Sequence, residues 1–208
     1  MISKQLRQEF FENTPCLKDK DVKTIYDCAW WAYTDLSRSP LAGIKSWEDK
    51  AAYREDICRL IKSSIEVLLE QSLLSQDDFD AWHKNICEAI IKETKERNVP
   101  LKNVPPEKGF YHGMAQAWVN ITLKNMIATD RWERLDSMMP YLHSPITNKI
   151  ILIAEKEPIN VKAPDVAWSQ LSYKQYIEYQ NALRHAVKQH TEYSCLMEWD
   201  FAEWKYGK

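Results

Sequence analysis

Apolar residues recur at helical spacing along most of the chain. A short amphipathic segment runs from about Ile2 to Phe11 and stops at Thr14-Pro15. After Asp21, the set Val22, Ile25, Tyr26, Cys28, Ala29, Trp30 and Tyr33 repeats with a helical period until Arg38-Ser39-Pro40 breaks it. Ser46-Trp47-Glu48-Asp49 reads as a capping box. Behind it Tyr53, Ile57, Leu60, Ile61, Ile65, Leu68 and Leu69 draw a long stripe to about Leu74. Ser75-Gln76-Asp77-Asp78 repeats the start signal before a second stripe of Phe79, Trp82, Ile86, Ile90 and Ile91. The short link between these two long helices predicts an antiparallel hairpin.

Residues 98–109 hold Pro100, Pro105 and Pro106, and no helix survives that density of proline. Beyond them, Phe110 to about Ile127 reads as a strong helix. Thr129-Asp130 is placed to cap a short helix from Arg131 to Met139, which Pro140 ends. Thr147 or Asn148 opens a β-branched segment through Ile153 that fits a short helix or a strand. Ser172-Tyr173-Lys174-Gln175 forms a capping box for a helix to about Gln189, and Leu196 to Trp204 makes a last short one. The expectation is an all-α, compact bundle of about seven to nine helices in one domain, 1–208. The alternative division is into lobes 1–97 and 109–208 around a Pro-rich loop, 98–108.

Composition narrows the function classes. Only four glycines in 208 residues argue against glycine-rich phosphate loops, and nine tryptophans supply large anchors for a core or an interface. Net charge is -2, with 16 basic and 18 acidic residues in 1–104 and 12 of each in 105–208. Neither half is a basic domain, so nucleic acid would need a local patch. The five cysteines show no C-x-x-C pair. No metal-ligating group and no cofactor are therefore expected, and a reduced, cytoplasmic compartment fits. The apolar run Ile150-Ile151-Leu152-Ile153-Ala154 is too short for a membrane span, and the first residues lack a signal-peptide core. P-loop, dinucleotide-fold, zincin and serine-hydrolase motifs are absent.

On the helix after Phe110, His112, Gln116, Asn120 and Lys124 fall at four-residue steps along one slowly rotating face of an otherwise apolar segment. They form a recognition row, or else a solvent face or a buried network. His143 stands before Pro145 and a helix start, where a catalytic or anion-binding group is well placed; otherwise the turn merely sets helix geometry. Trp168 with Tyr173, Tyr176 and Tyr179 makes an aromatic group near Arg184 and His185, a weak match to single-strand stacking surfaces. Glu198, Asp200 and Glu203 sit among Trp199, Phe201 and Trp204. That segment fits an acid–base centre or, more simply, an aromatic clasp with its acids in water.

The order His112-Gly113-x-Ala115-Gln116-x-Trp118-x-Asn120-x-x-Leu123-Lys124, then Leu142-His143-x-Pro145-Ile146, Trp168 and the Cys195-to-Trp204 tail, resembles a family of uncharacterised bacterial and phage-encoded helical proteins. The likeness covers about the C-terminal half and implies no activity. Many such relatives carry an acid at Thr147 and a Lys at Ala117. A helix bearing Lys followed by a proline turn is also distantly similar to helix-hairpin-helix DNA glycosylases. The acid those enzymes need would fall on Thr147, and their glycine-rich hairpin is missing. Three functions follow as expectations. The first is a cytosolic binding or regulatory protein that uses aromatic anchors on a protein partner. The second is an enzyme or reader acting on nucleic acid. The third is a small-molecule pocket between helices. The candidate binding residues are His112, Gln116, Asn120, Lys124, His143 and Trp168.

Overall fold

In the computed structural model, residues 2–14, 17, 22–36, 44, 47–71, 75–101 and 109–204 are described. Nine α-helices occur among them: α1 (Lys4–Glu12), α2 (Ile25–Leu36), α3 (Lys50–Glu70), α4 (Gln76–Glu96), α5 (His112–Ala128), α6 (Glu133–Met138), α7 (Asn148–Ala154), α8 (Tyr173–His190) and α9 (Leu196–Glu203). A 3-10 turn at Trp168–Gln170 precedes α8. No strand occurs among the described residues, so the protein is all-α. The β-branched segment after Thr147 is the helix α7, with Ile150, Ile151 and Ile153 buried and Leu152 exposed. No helix among the described residues is long and apolar enough to cross a membrane.

Local chemistry accounts for several boundaries. Ser172 accepts from the Gln175 amide while the Gln175 side chain accepts from the Ser172 amide, so the capping box at the start of α8 is complete. Ser75 accepts from the Asp78 amide at 3.2 Å and opens α4. The expected box at Ser46 and the prolines at 105 and 106 lie outside the described residues; α3 itself begins at Lys50 with no side-chain cap. Thr129-Asp130 does not cap α6, which starts later with Trp132 in the cap position. The Asp130 carboxylate is instead taken by Arg7 of α1, which also reaches Asp136 at 2.6 Å. A long-range ion pair has overridden a local capping preference.

α3 and α4 run antiparallel. Tyr53 and Asp56 near the start of α3 meet Thr94 and Arg97 at the end of α4, at 2.7 Å in each case. Between them, the Trp82 indole donates to the Ser64 carbonyl at 3.2 Å. α5 is the centre of the bundle, packing on α1, α2, α4, α8 and the 3-10 turn. Every residue of α5 except Ile121 is buried, so its polar side chains must find partners inside the protein. The Trp118 indole donates to the Ala29 carbonyl at 2.9 Å, and the Asn125 amide to the Cys28 carbonyl at 3.2 Å, which ties α5 to α2. On another side, Lys124 and Asp200 pair at 2.7 Å with Phe10, Phe201 and Trp204 around the ammonium. The α9 clasp does close the core, but Asp200 is buried rather than in water.

The first turn of α5 lies directly against the 3-10 turn. The Gly113 amide donates to the Leu171 carbonyl at 2.9 Å, and a Cβ on Gly113 would stand 1.9 Å from the Trp168 carbonyl oxygen. That neighbour is backbone and cannot rotate away. On an open helix, Gly→Ala gains about 1 kcal/mol. Here Gly113→Ala is expected to cost about 3 kcal/mol through overpacking, read as a lower urea midpoint. An unchanged or higher midpoint would show that the approach is not so close.

Candidate functional site

Four segments meet beside the N-terminal half of α5. α4 contributes Asp80, His83 and Cys87; α5 contributes His112, Gln116 and Asn120. The connection between α6 and α7 contributes His143 and Ser144, and α8 contributes Tyr176 and Gln180. The four-residue steps explain who belongs. Each step on a helix advances about 40°, so Lys124 lies about 120° round from His112 and faces α9 instead. All of these side chains except Asp80 are buried, and the Asp80 side chain is 16% exposed.

The hydrogen bonds fix an order of donors and acceptors. The Asn120 amide nitrogen donates to Gln116 Oε1 at 3.0 Å and to the Tyr176 hydroxyl at 2.9 Å. Asn120 Oδ1 therefore faces His83 Nε2, 3.0 Å away, and that nitrogen must carry the proton. His83 Nδ1 keeps its lone pair. Gln116 is fully used: its amide donates to the Gly113 and Ile146 carbonyls at 2.8 Å each, and its oxygen also accepts from the Ile146 amide at 3.2 Å. On the far side, His143 Nε2 donates to Asp80 Oδ1 at 2.7 Å, and His143 Nδ1 accepts from the Tyr176 hydroxyl at 2.7 Å. Gln76 supports Asp80 at 2.7 Å, and Gln180 donates to the Ser144 carbonyl at 2.6 Å.

Against this satisfied frame, His112 stands out. Its Nε2 is buried without a hydrogen-bond partner, as are Ser144 Oγ and Gln180 Oε1. The His112 ring contacts Tyr173 and Tyr176 at centroid distances of 5.1 and 4.9 Å, and His83 at 5.9 Å. His83 also stacks on Tyr176 at 5.3 Å. The Cys87 sulfur lies 3.8 and 3.9 Å from the two nitrogens of His83, one helical turn away.

Burial governs the protonation states. It holds the His83 imidazole well below its ordinary value, with the neighbouring histidines adding to the effect. It lowers His112 to about 4, assisted by His143 and Lys84. His143 is lowered too, because burial outweighs its bond to Asp80. Burial alone would raise the Asp80 carboxyl, but bonds from His143 and Gln76 and the charge of Arg184 hold it below the usual range. Burial pushes the Cys87 thiol and the Tyr176 phenol well above their ordinary values. At neutral pH the centre thus holds three neutral imidazoles, a thiol, a phenol and one carboxylate at its edge.

Of the six residues singled out by sequence, the fold brings His112, Gln116, Asn120 and His143 together. Lys124 is drawn off to Asp200, and Trp168 lies over Gly113 as a packing residue. Sequence reasoning missed His83, Cys87 and Asp80, and it placed Tyr176 only in an aromatic group with Trp168, Tyr173 and Tyr179. The signal was present, because His83 falls one turn after Phe79 on the apolar stripe of α4 and Cys87 follows at the next turn. The sequence led to no expected metal-ligating group. In the fold, donor atoms of His83, Cys87 and His112 lie within 4.8 Å of one another. A surface cleft of about 450 Å³, lined by Ile153, Lys156, Pro158, His190, Tyr193 and Trp199, shares no residue with the centre.

Fold and site together define an all-α protein with a histidine-rich polar centre enclosed by its helices. No family model matches the chain, and neither the curated proteins nor the solved structures include a significant match to it.

Proposed function

We propose that this protein binds a small ligand or ion at the polar centre between α4, α5 and α8. The observation that carries this reading is His112. It reaches a center in which Gln116, Asn120 and His143 are held by multiple bonds, yet its own Nε2 has no partner. A polar group left unpaired in a protein interior costs about 1–3 kcal/mol, and such a cost is repaid where a ligand supplies the missing bond. Gln116 and Asn120 are then the frame, and His112 is the hand left free. The nearby cations are Lys84 and Arg184, set against Asp80 and Glu88, which does not make the basic rim that nucleic acid requires.

A protein partner is the second reading, and one surface feature favours it. The Arg54 guanidinium lies 3.1 Å over the Trp30 ring, and Tyr26 stacks on Trp30 at 6.0 Å. Trp, Tyr and Arg are the residue types that dominate binding hot spots. This cluster is only half exposed, however, and no described Trp or Tyr is fully exposed.

Native mass spectrometry of the chain, gently isolated from its own cells, separates the two. The core-ligand reading expects a small mass excess that disappears on denaturation and is reduced in His112→Gln. A bare chain mass in both proteins overturns it. Co-isolation of a stoichiometric protein that Trp30→Ala releases would put the partner reading first.

A further inference from the structure

We infer that His83, Cys87 and His112 form a site for one divalent transition-metal ion of the zinc(II) class, bound through His83 Nδ1, Cys87 Sγ and His112 Nε2. The inference rests on the core-ligand reading and names its ligand.

The donor chemistry is specific. Two imidazoles and a thiolate are borderline-to-soft ligands that suit zinc(II) and cobalt(II) far better than magnesium or calcium. The neighbouring donors of His143, Gln116 and Asn120 are already engaged. His143 uses both ring nitrogens, one on Asp80 and one on Tyr176, and the Gln116 and Asn120 oxygens accept within the frame. His112 Nε2 is buried and unpartnered, and His112 belongs to the same triplet.

The surroundings supply what a metal-bound histidine needs. Histidine ligands generally donate their second ring N–H to a carbonyl or carboxylate, which sets tautomer and orientation. Asn120 Oδ1 does this for His83, at 3.0 Å, and leaves Nδ1 available. Asn120 is in turn held by Gln116 and Tyr176, so the orientation is locked through two more side chains. Bond lengths of about 2.3 Å to sulfur and about 2.0 Å to nitrogen place tetrahedral donors about 3.5 Å apart. The Cys87 sulfur stands 3.8 Å from His83 Nδ1, and one donor atom from each of the three residues lies within 4.8 Å of the others. Ion binding requires the His112 and Cys87 donors to close the remaining distance toward His83 Nδ1.

Binding converts the Cys87 thiol to a thiolate: the S–H bond breaks, the sulfur–metal bond forms, and one proton leaves to solvent. Three protein donors leave one tetrahedral position for water or a small ligand, the arrangement of sites that act on bound molecules.

The test is titration of the metal-free, full-length chain with cobalt(II). The expected result is a thiolate-to-cobalt charge-transfer band that saturates at about one ion per chain, with release of about one proton, and that zinc(II) abolishes. Cys87→Ser should lose the band while its circular dichroism stays that of the folded chain. His112→Gln, which breaks no existing hydrogen bond of Nε2, should bind the ion at least about tenfold more weakly. No band from a folded chain, or a band that survives Cys87→Ser, overturns the metal assignment. If that happens while native mass spectrometry still shows an excess dependent on His112, the core-ligand reading stands with another ligand. If the mass excess is also missing, both readings fail.

Discussion

Acidification from about pH 7 to about pH 5 is expected to strip this protein of stability at a rate approaching about 3 kcal/mol per pH unit. The sign follows from His83, His112 and His143, all of which burial holds below their ordinary value in the folded chain. Unfolding restores an ordinary value of about 6.5, so below that pH the unfolded chain binds protons the folded chain does not. Each such histidine lowers stability by up to about 1.4 kcal/mol per pH unit; His83 and His112 act over the whole range, and His143 adds a part. The loss begins near the unfolded value and, for His112, ends where its folded value of about 4 is reached. Asp80 adds a later loss at lower pH, as acid protonates a carboxylate held below its usual range. Urea midpoints measured from about pH 8 to about pH 5 check this, and His112→Gln should flatten the slope by about a half. A flat series would mean that the imidazoles are not held neutral in the interior.

Asn120→Ala is expected to cost about 3–5 kcal/mol, a large part of the stability of an ordinary domain. Asn120 bridges three segments: it accepts from His83 on α4, donates to Gln116 on α5, and donates to Tyr176 on α8. Truncation leaves the His83 N–H and the Tyr176 oxygen without that partner inside a sealed core, and it opens a cavity besides. A denaturant titration reads the loss, and near-ultraviolet circular dichroism should show the Tyr176 and Trp82 surroundings loosened. A cost below about 1 kcal/mol would contradict the bond order assigned here. The contrast with His112 is the useful one, because His112→Gln breaks no such bond and should leave the fold close to intact.

The two halves of the candidate site differ in how legible they were. The row His112, Gln116, Asn120 stands out because polar residues at four-residue steps interrupt an apolar helix, and a local period is visible in a single chain. Whether the row faced water or the interior was not, because that depends on what packs against α5. The α4 contribution was readable in part: His83 and Cys87 are spaced for one helix face, but each alone is a common buried residue. Asp80 carried no local signal, and Tyr176 stood out only as one of an aromatic group, with nothing to show that its hydroxyl joins Asn120 and His143. Thr129-Asp130 shows the opposite failure, a good local cap that lost its acid to Arg7 over a long sequence distance.

By itself, the sequence determined most of the helices and the hairpin of α3 and α4. These follow from hydrophobic period, capping residues and proline, all of which act over a few neighbours along the chain. Only the tertiary structure decided that Asp80, His83 and Cys87 meet His112, His143 and Tyr176, and that Lys124 turns away to Asp200. Such meetings depend on the angle and register at which helices cross, set by the summed packing of many side chains that no local stretch of sequence contains.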